Sequence, residues 1–119
     1  MMDEHFYNPD EFWGEYIMPT IARNDSACPD QNYWRGRIWA PTNFLAYSAM
    51  KHAGLRKECG DLAKKSEELL LKEWRLYGHI HENYNCDTGM GCDEVENISS
   101  DPFYHWGGLL AYIAIDNEG

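Results

Sequence analysis

Basic side chains run out early. After Arg75 the chain has no lysine or arginine, and residues 76–119 carry eight carboxylates. The imbalance extends to the whole chain, with 20 acidic against 10 basic residues and a formal net charge of −10. A surface of that sign repels phosphate backbones, so nucleic acid is not expected as a partner. No run approaches the ~18 uninterrupted apolar residues of a membrane span, so no membrane is expected either. The start, MMDEHFYNPDEFW, lacks the basic and apolar regions of a secretory signal, and a soluble, cytoplasmic chain is expected. Cysteine is limited to Cys28, Cys59, Cys86 and Cys92, which without a secretory signal read as free thiols. His79, His81, Cys86 and Cys92 form H-x-H-x4-C-x5-C, four soft ligand types close in sequence. That pattern lacks the C-x2-C knuckle of zinc ribbons, so no metal or other cofactor is expected. Repeats, low-complexity stretches and internal linkers are also missing. Residues 1–119 therefore read as one unit, large enough to bury about two-thirds of its unfolded surface but too small for a deep cavity.

What is present is helical. Residues 1–40 read as mostly irregular, broken by Pro9, Pro19, Pro29 and Gly36. A first helix is expected over 41–54, opened by Pro41 and ended by Gly54. A second is expected over 55–77. There Leu55, Cys59, Leu62, Ala63, Ser66, Leu69, Leu70, Trp74 and Tyr77 share one face, while Lys57, Lys64, Lys65, Glu68 and Lys72 point away. A loop over 78–102 leads to a third helix over 103–116. The first and third are apolar on nearly every face, and such helices need neighbours all around. Three helices cannot supply them for one another. The chain therefore reads as all-α and as a slice of a larger helical array, or else as a chain that covers those faces by self-association.

Five tryptophans and eight tyrosines supply apolar plates with polar tips. Many belong to a core, but Tyr33-Trp34-Arg35-Gly36-Arg37-Ile38-Trp39 sets them beside guanidinium groups in an irregular segment, which suits the apolar face and hydroxyls of a sugar. The loop GHIHENYN, residues 78–85, offers Glu82 as a carboxylate. On the loop alone Glu82 reads more readily as a solvated or capping group than as a base.

Three ordered motifs decide between these readings: W-R-G-x-x-W before a helix, E-N-Y-N after the next, and aromatic-x-W-G opening the last. Together, from about Phe12 to Ile115, they resemble the C-terminal part of the (α/α)6-barrel glycoside hydrolases of family 63, the mannosylglycerate-hydrolase-like and glucosidase-like members, with more distant similarity to trehalases. The resemblance implies a partial (α/α)6 toroid of about three helices plus an irregular N-terminal segment. It implies that Glu82 is the general base of an inverting hydrolysis, activating water for attack on an anomeric carbon. Arg35, beside Trp34 and Gly36, suits a sugar-binding corner or equally an ion pair with an acidic neighbour, Trp39 and Trp106 read as core or cavity wall rather than direct ligand contacts, and His105 as a subsite contact. Asn83 and Tyr84 would support Glu82 by hydrogen bonds. The general acid belongs to an upstream part of the barrel that this sequence does not contain, and Asp93, Glu94, Glu96 and Asp101 read as a solvated acidic loop rather than a replacement. The expected partner is thus an α-glycoside or oligosaccharide, bound when missing helices are complemented by another chain. The alternative is a non-catalytic remnant or helical interaction protein that associates through its apolar helices.

Overall fold

Pro41 has a fixed φ and no N–H to leave unbonded in a first helical turn, and the chain becomes helical beside it. Helix α1 runs Ala40–His52 and is stopped by Gly54 at φ 76°. Helix α2 runs Arg56–Tyr77 and is closed by Gly78 at φ 72°, whose N–H returns to the Trp74 carbonyl at 2.7 Å. Helix α3 spans Leu109–Glu118 and follows a 3-10 turn at His105–Gly108. This computed structural model describes residues 1–95, 98–102 and 105–119. Phe103 and Tyr104, where the third helix was expected to begin, lie outside them, as does Glu96.

The described residues hold three α-helices packed on one another, and the all-α reading is correct. Short turns at Met2–Phe6 and Cys28–Asp30 punctuate the N-terminal segment. The expectation of helices and loops alone needs one amendment. Strand β1, Ile38–Trp39, pairs antiparallel with strand β2, Asn83–Tyr84, in the register Ile38 to Tyr84 and Trp39 to Asn83. Two-residue strands are too short to carry the alternation by which a strand is read from sequence.

Cys59, Leu62 and Ala63 face α1 and α3 in one apolar cluster, with Tyr47, Met50 and Ile113. Each fully buried aliphatic side chain of this kind contributes about 1.5–3 kcal/mol relative to exposure. Phe6 and Ile17 fasten the N-terminal segment to the same cluster. Asn43 adds a polar stitch there. It is fully buried, accepts the Met18 N–H at 3.1 Å and donates to the Ile17 carbonyl and the Ser66 hydroxyl at 3.1 and 3.2 Å. A second cluster joins Leu69 and Leu110 to Ile38, Tyr84, Cys28 and Cys86, and so seats the strand pair on the helices.

The expected buried face of α2 fails at its C-terminal end, where Trp74 and Tyr77 are exposed and Glu73 is fully buried. Glu73 is satisfied by the Gly91 N–H at 2.5 Å and by Lys72 at 3.1 Å, so these partners outweigh the apolar pattern. No helix among the described residues is long and apolar enough to cross a membrane.

Candidate active site

The strand pair sets W-R-G-x-x-W directly against E-N-Y-N, because β1 ends the first motif and β2 lies inside the second. Arg37 locks the join. It is buried, its Nε donates to the Gln31 carbonyl at 2.7 Å, its Nη1 donates to Asn83 Oδ1 at 3.1 Å, and its guanidinium lies 5.7 Å from the centre of the Tyr33 ring. Gly36 makes the bend that precedes β1. Its φ of 111° disfavours any L side chain, and a β-carbon there would stand 2.9 Å from the Cys28 carbonyl oxygen. Its N–H donates to the Thr20 hydroxyl at 2.9 Å, and Thr20 in turn donates to the Trp34 carbonyl at 2.6 Å.

This framework assembles an aromatic group. The Trp34 and Trp39 indoles stack with centroids 3.5 Å apart and planes 11° from parallel. Trp106, from the turn before α3, meets both edge-on at 6.4 and 6.2 Å, and Tyr33 meets Trp39 edge-on at 4.8 Å. Trp39 is fully buried and donates its Nε1–H to the Tyr33 carbonyl at 3.0 Å, whereas Trp34 remains 45% exposed and forms the outer plate of the stack.

Glu82 is 6% exposed and is held by two donors. The Tyr33 hydroxyl donates to Oε1 at 2.5 Å, and the Asp101 N–H donates to Oε2 at 3.0 Å. A carboxylate has about four acceptor positions, and among the described residues each oxygen uses one. Tyr33 thus links Glu82 to the stacked indoles through a single side chain.

The other expected site residues fall as follows. Arg35 is exposed beside Trp34, and its guanidinium makes no ion pair or side-chain hydrogen bond among the described residues. His105 is exposed and its ring lies 6.3 Å from that of Trp106. Asn83 and Tyr84 are both buried, but neither bonds Glu82. Extended backbone sends successive side chains to opposite sides, and Asn83 meets Arg37 instead. The support that Glu82 receives among the described residues comes from Tyr33 and a backbone N–H, and Tyr33 was read as part of the aromatic stretch, not as a partner of Glu82. Its contact exists only because the strand pair forms, so no local pattern marks it. Asp101 is a neighbour of Glu82 through its backbone, Asp93 is paired with His81, and Glu94 is exposed.

The four soft ligand types divide. Cys86 is held by the Gln31 Nε2–H at 2.7 Å and by Arg23 at 3.3 Å, and burial pushes its thiol up to about 11. Burial does the same to Cys92, whose Sγ lies 3.9 Å from the Met90 carbonyl. His79 and His81 turn instead towards Asp93.

A carboxylate beside an indole plate on an all-α frame is the equipment of a carbohydrate-active domain. Sequence comparison bears on that class directly: residues 1–106 match the mannosylglycerate hydrolase MGH1-like glycoside hydrolase domain, and the chain belongs to that family. It is also 26% identical over 120 residues to the mannosyl-oligosaccharide glucosidase of Saccharomyces cerevisiae, covering 89% of this chain and 14% of that protein. A probable mannosyl-oligosaccharide glucosidase of Schizosaccharomyces pombe is 27% identical over 118 residues, covering 90% and 14%. The chain therefore spans a small part of the length of these curated relatives.

Proposed function

We propose that the chain supplies the general-base half of an inverting α-glycoside hydrolase, with Glu82 as the base and Trp34 as the sugar platform. The observation that carries this reading is the Tyr33–Glu82 hydrogen bond of 2.5 Å, which fixes a carboxylate beside stacked indoles. Fixed geometry of that kind is what converts binding into attack, because the water and the anomeric carbon must meet in a narrow range of positions. An inverting reaction also needs a carboxylic acid roughly 6.5–9.5 Å from the base, leaving room for the water between. In this reading the acid stands on helices outside the 119 residues, consistent with the 14% of its relatives that the chain spans. The chain by itself is then inactive on ordinary α-glycosides, since losing leaving-group protonation forfeits a factor of order 10²–10⁴.

A substrate whose leaving group needs no proton isolates the base half. With α-glucosyl fluoride the purified chain should release fluoride slowly but above the protein-free rate, while trehalose and kojibiose stay at blank level. Glu82→Gln should remove the excess. Equal fluoride release by the parent and Glu82→Gln would end the assignment.

The exposure of Leu45 on α1 and of Tyr112 and Ile115 on α3 favours a second reading, a non-catalytic helical protein that associates through those faces. That reading gives no fluoride release dependent on Glu82.

A further inference from the structure

Beyond Glu82, the same loop carries a second convergence of chemistry. His81 is 3% exposed at its side chain, and both of its ring nitrogens face carboxylates. Nδ1 stands 2.7 Å from Asp93 Oδ2 and Nε2 stands 3.5 Å from Glu73 Oε1. A neutral imidazole has one N–H, so without a further positive charge one nitrogen would present a lone pair to an ionised oxygen. The Nε2 atom is buried and makes no hydrogen bond, with the Glu73 carboxylate standing beside it. His79 completes the group, with Nε2 3.8 Å from the same Asp93 oxygen.

We propose that His79, His81 and Asp93 bind one divalent cation of the zinc type. Their ligand atoms lie within 4.8 Å of one another. Bonds of about 2.0–2.1 Å at tetrahedral angles place ligand atoms about 3.3 Å apart, and the observed separations of 2.7 and 3.8 Å fall on either side of that spacing. The two imidazoles, whose ligand atoms stand within 4.8 Å of each other, would have to close in on the cation by side-chain rotation.

The surrounding hydrogen bonds set the tautomers that ligation requires. His79 Nδ1 lies 3.2 Å from the Ile80 carbonyl, so its proton belongs there and Nε2 is the ligand. With Nδ1 of His81 on the cation, the proton of that ring moves to Nε2 and faces Glu73. That is the carboxylate–histidine–metal relay by which metal sites orient their imidazoles. Glu73 is itself fixed by the Gly91 N–H, and a β-carbon on Gly91 would overlap the His81 ring. Asp93 keeps its second oxygen for the Ser100 hydroxyl at 3.3 Å. Two imidazoles and one carboxylate suit zinc better than calcium or magnesium, which prefer oxygen alone. A cavity of about 370 Å³ bordered by Tyr77, Met90 and Glu94 reaches the three ligands and leaves a fourth position for water. The cation would tie the residues just before Glu82 to those at the far side of its loop, in a half of the chain that has no Lys or Arg after Arg75.

The test uses the full chain, stripped with a chelator and titrated calorimetrically with zinc chloride. One equivalent should bind. His79→Ala and Asp93→Asn should each weaken binding at least about tenfold, and Cys86→Ser and Cys92→Ser should leave it unchanged. Cobalt substitution should give the visible bands of a tetrahedral site without a thiolate charge-transfer band. His79 is partly exposed, so its alanine variant should retain the parent circular dichroism. No stoichiometric binding by the folded parent would overturn the proposal. Binding that survives both His79→Ala and Asp93→Asn, or that is lost with either cysteine, would overturn it as well.

Discussion

Glu82 owes its position to a side chain far from it in sequence. Tyr33 is 49 residues away, yet its hydroxyl holds one carboxylate oxygen while the Asp101 N–H holds the other. Hydrogen bonds to ionised groups contribute about 1.5–3 kcal/mol, so Tyr33→Phe should lower the urea unfolding free energy by about that amount, with an unchanged denaturant slope. A variant as stable as the parent would mean that the hydroxyl is replaced by solvent at no cost. The carboxylate itself was legible in the sequence through E-N-Y-N, because that motif is contiguous. Its donor was not, since the pairing of residues 33 and 82 is a property of the folded backbone. Asn83 illustrates the converse: it is next to Glu82 in sequence and turns away to bond Arg37.

Helix α3 is fastened to α1 by charge. Asp116 accepts from the Lys51 ammonium at 2.7 Å and from the Tyr47 hydroxyl at 2.8 Å, both on α1. Those two hydrogen bonds, Lys51 first, hold its carboxyl below the ordinary value of 3.8. A depressed carboxylate pKa stabilises the fold above the unfolded value, and the contribution is lost as pH falls through the folded one. The difference in thermal midpoint between the parent and Asp116→Asn should therefore be largest near neutrality and should shrink below about pH 4. A difference that is flat across that range would place the stabilisation elsewhere. The ion pair is partly exposed, so added salt should weaken it. The helices were legible as elements because α1 and α2 have glycine stops and α2 has a clear apolar face. The end of that face was not, because Glu73 is buried by a backbone N–H from a distant loop and not by any periodicity of its own helix.

The apolar character of α1 and α3 leaves the whole molecule with uncovered surface. Ile115 is 70% exposed, and Leu45 and Tyr112 are also exposed. Exposed large apolar side chains on two packed helices invite association, so the chain should sediment with a concentration-dependent mass or bind a hydrophobic dye at micromolar concentration. Ile115→Glu should reduce either signal, and a compact monomer without dye binding would remove this expectation. The arrangement of strands and helices also bears on the order in which the parts assemble. β1 immediately precedes α1 and β2 follows α2, so the ladder is a clasp across the open ends of a helical hairpin. Closing it from an unfolded chain means ordering the whole intervening stretch, but a hairpin already zipped from its turn brings the two ends side by side. The clasp is thus long-range along the sequence and short-range across the folded hairpin, and the Tyr33–Glu82 contact depends on the docking of the helices between them.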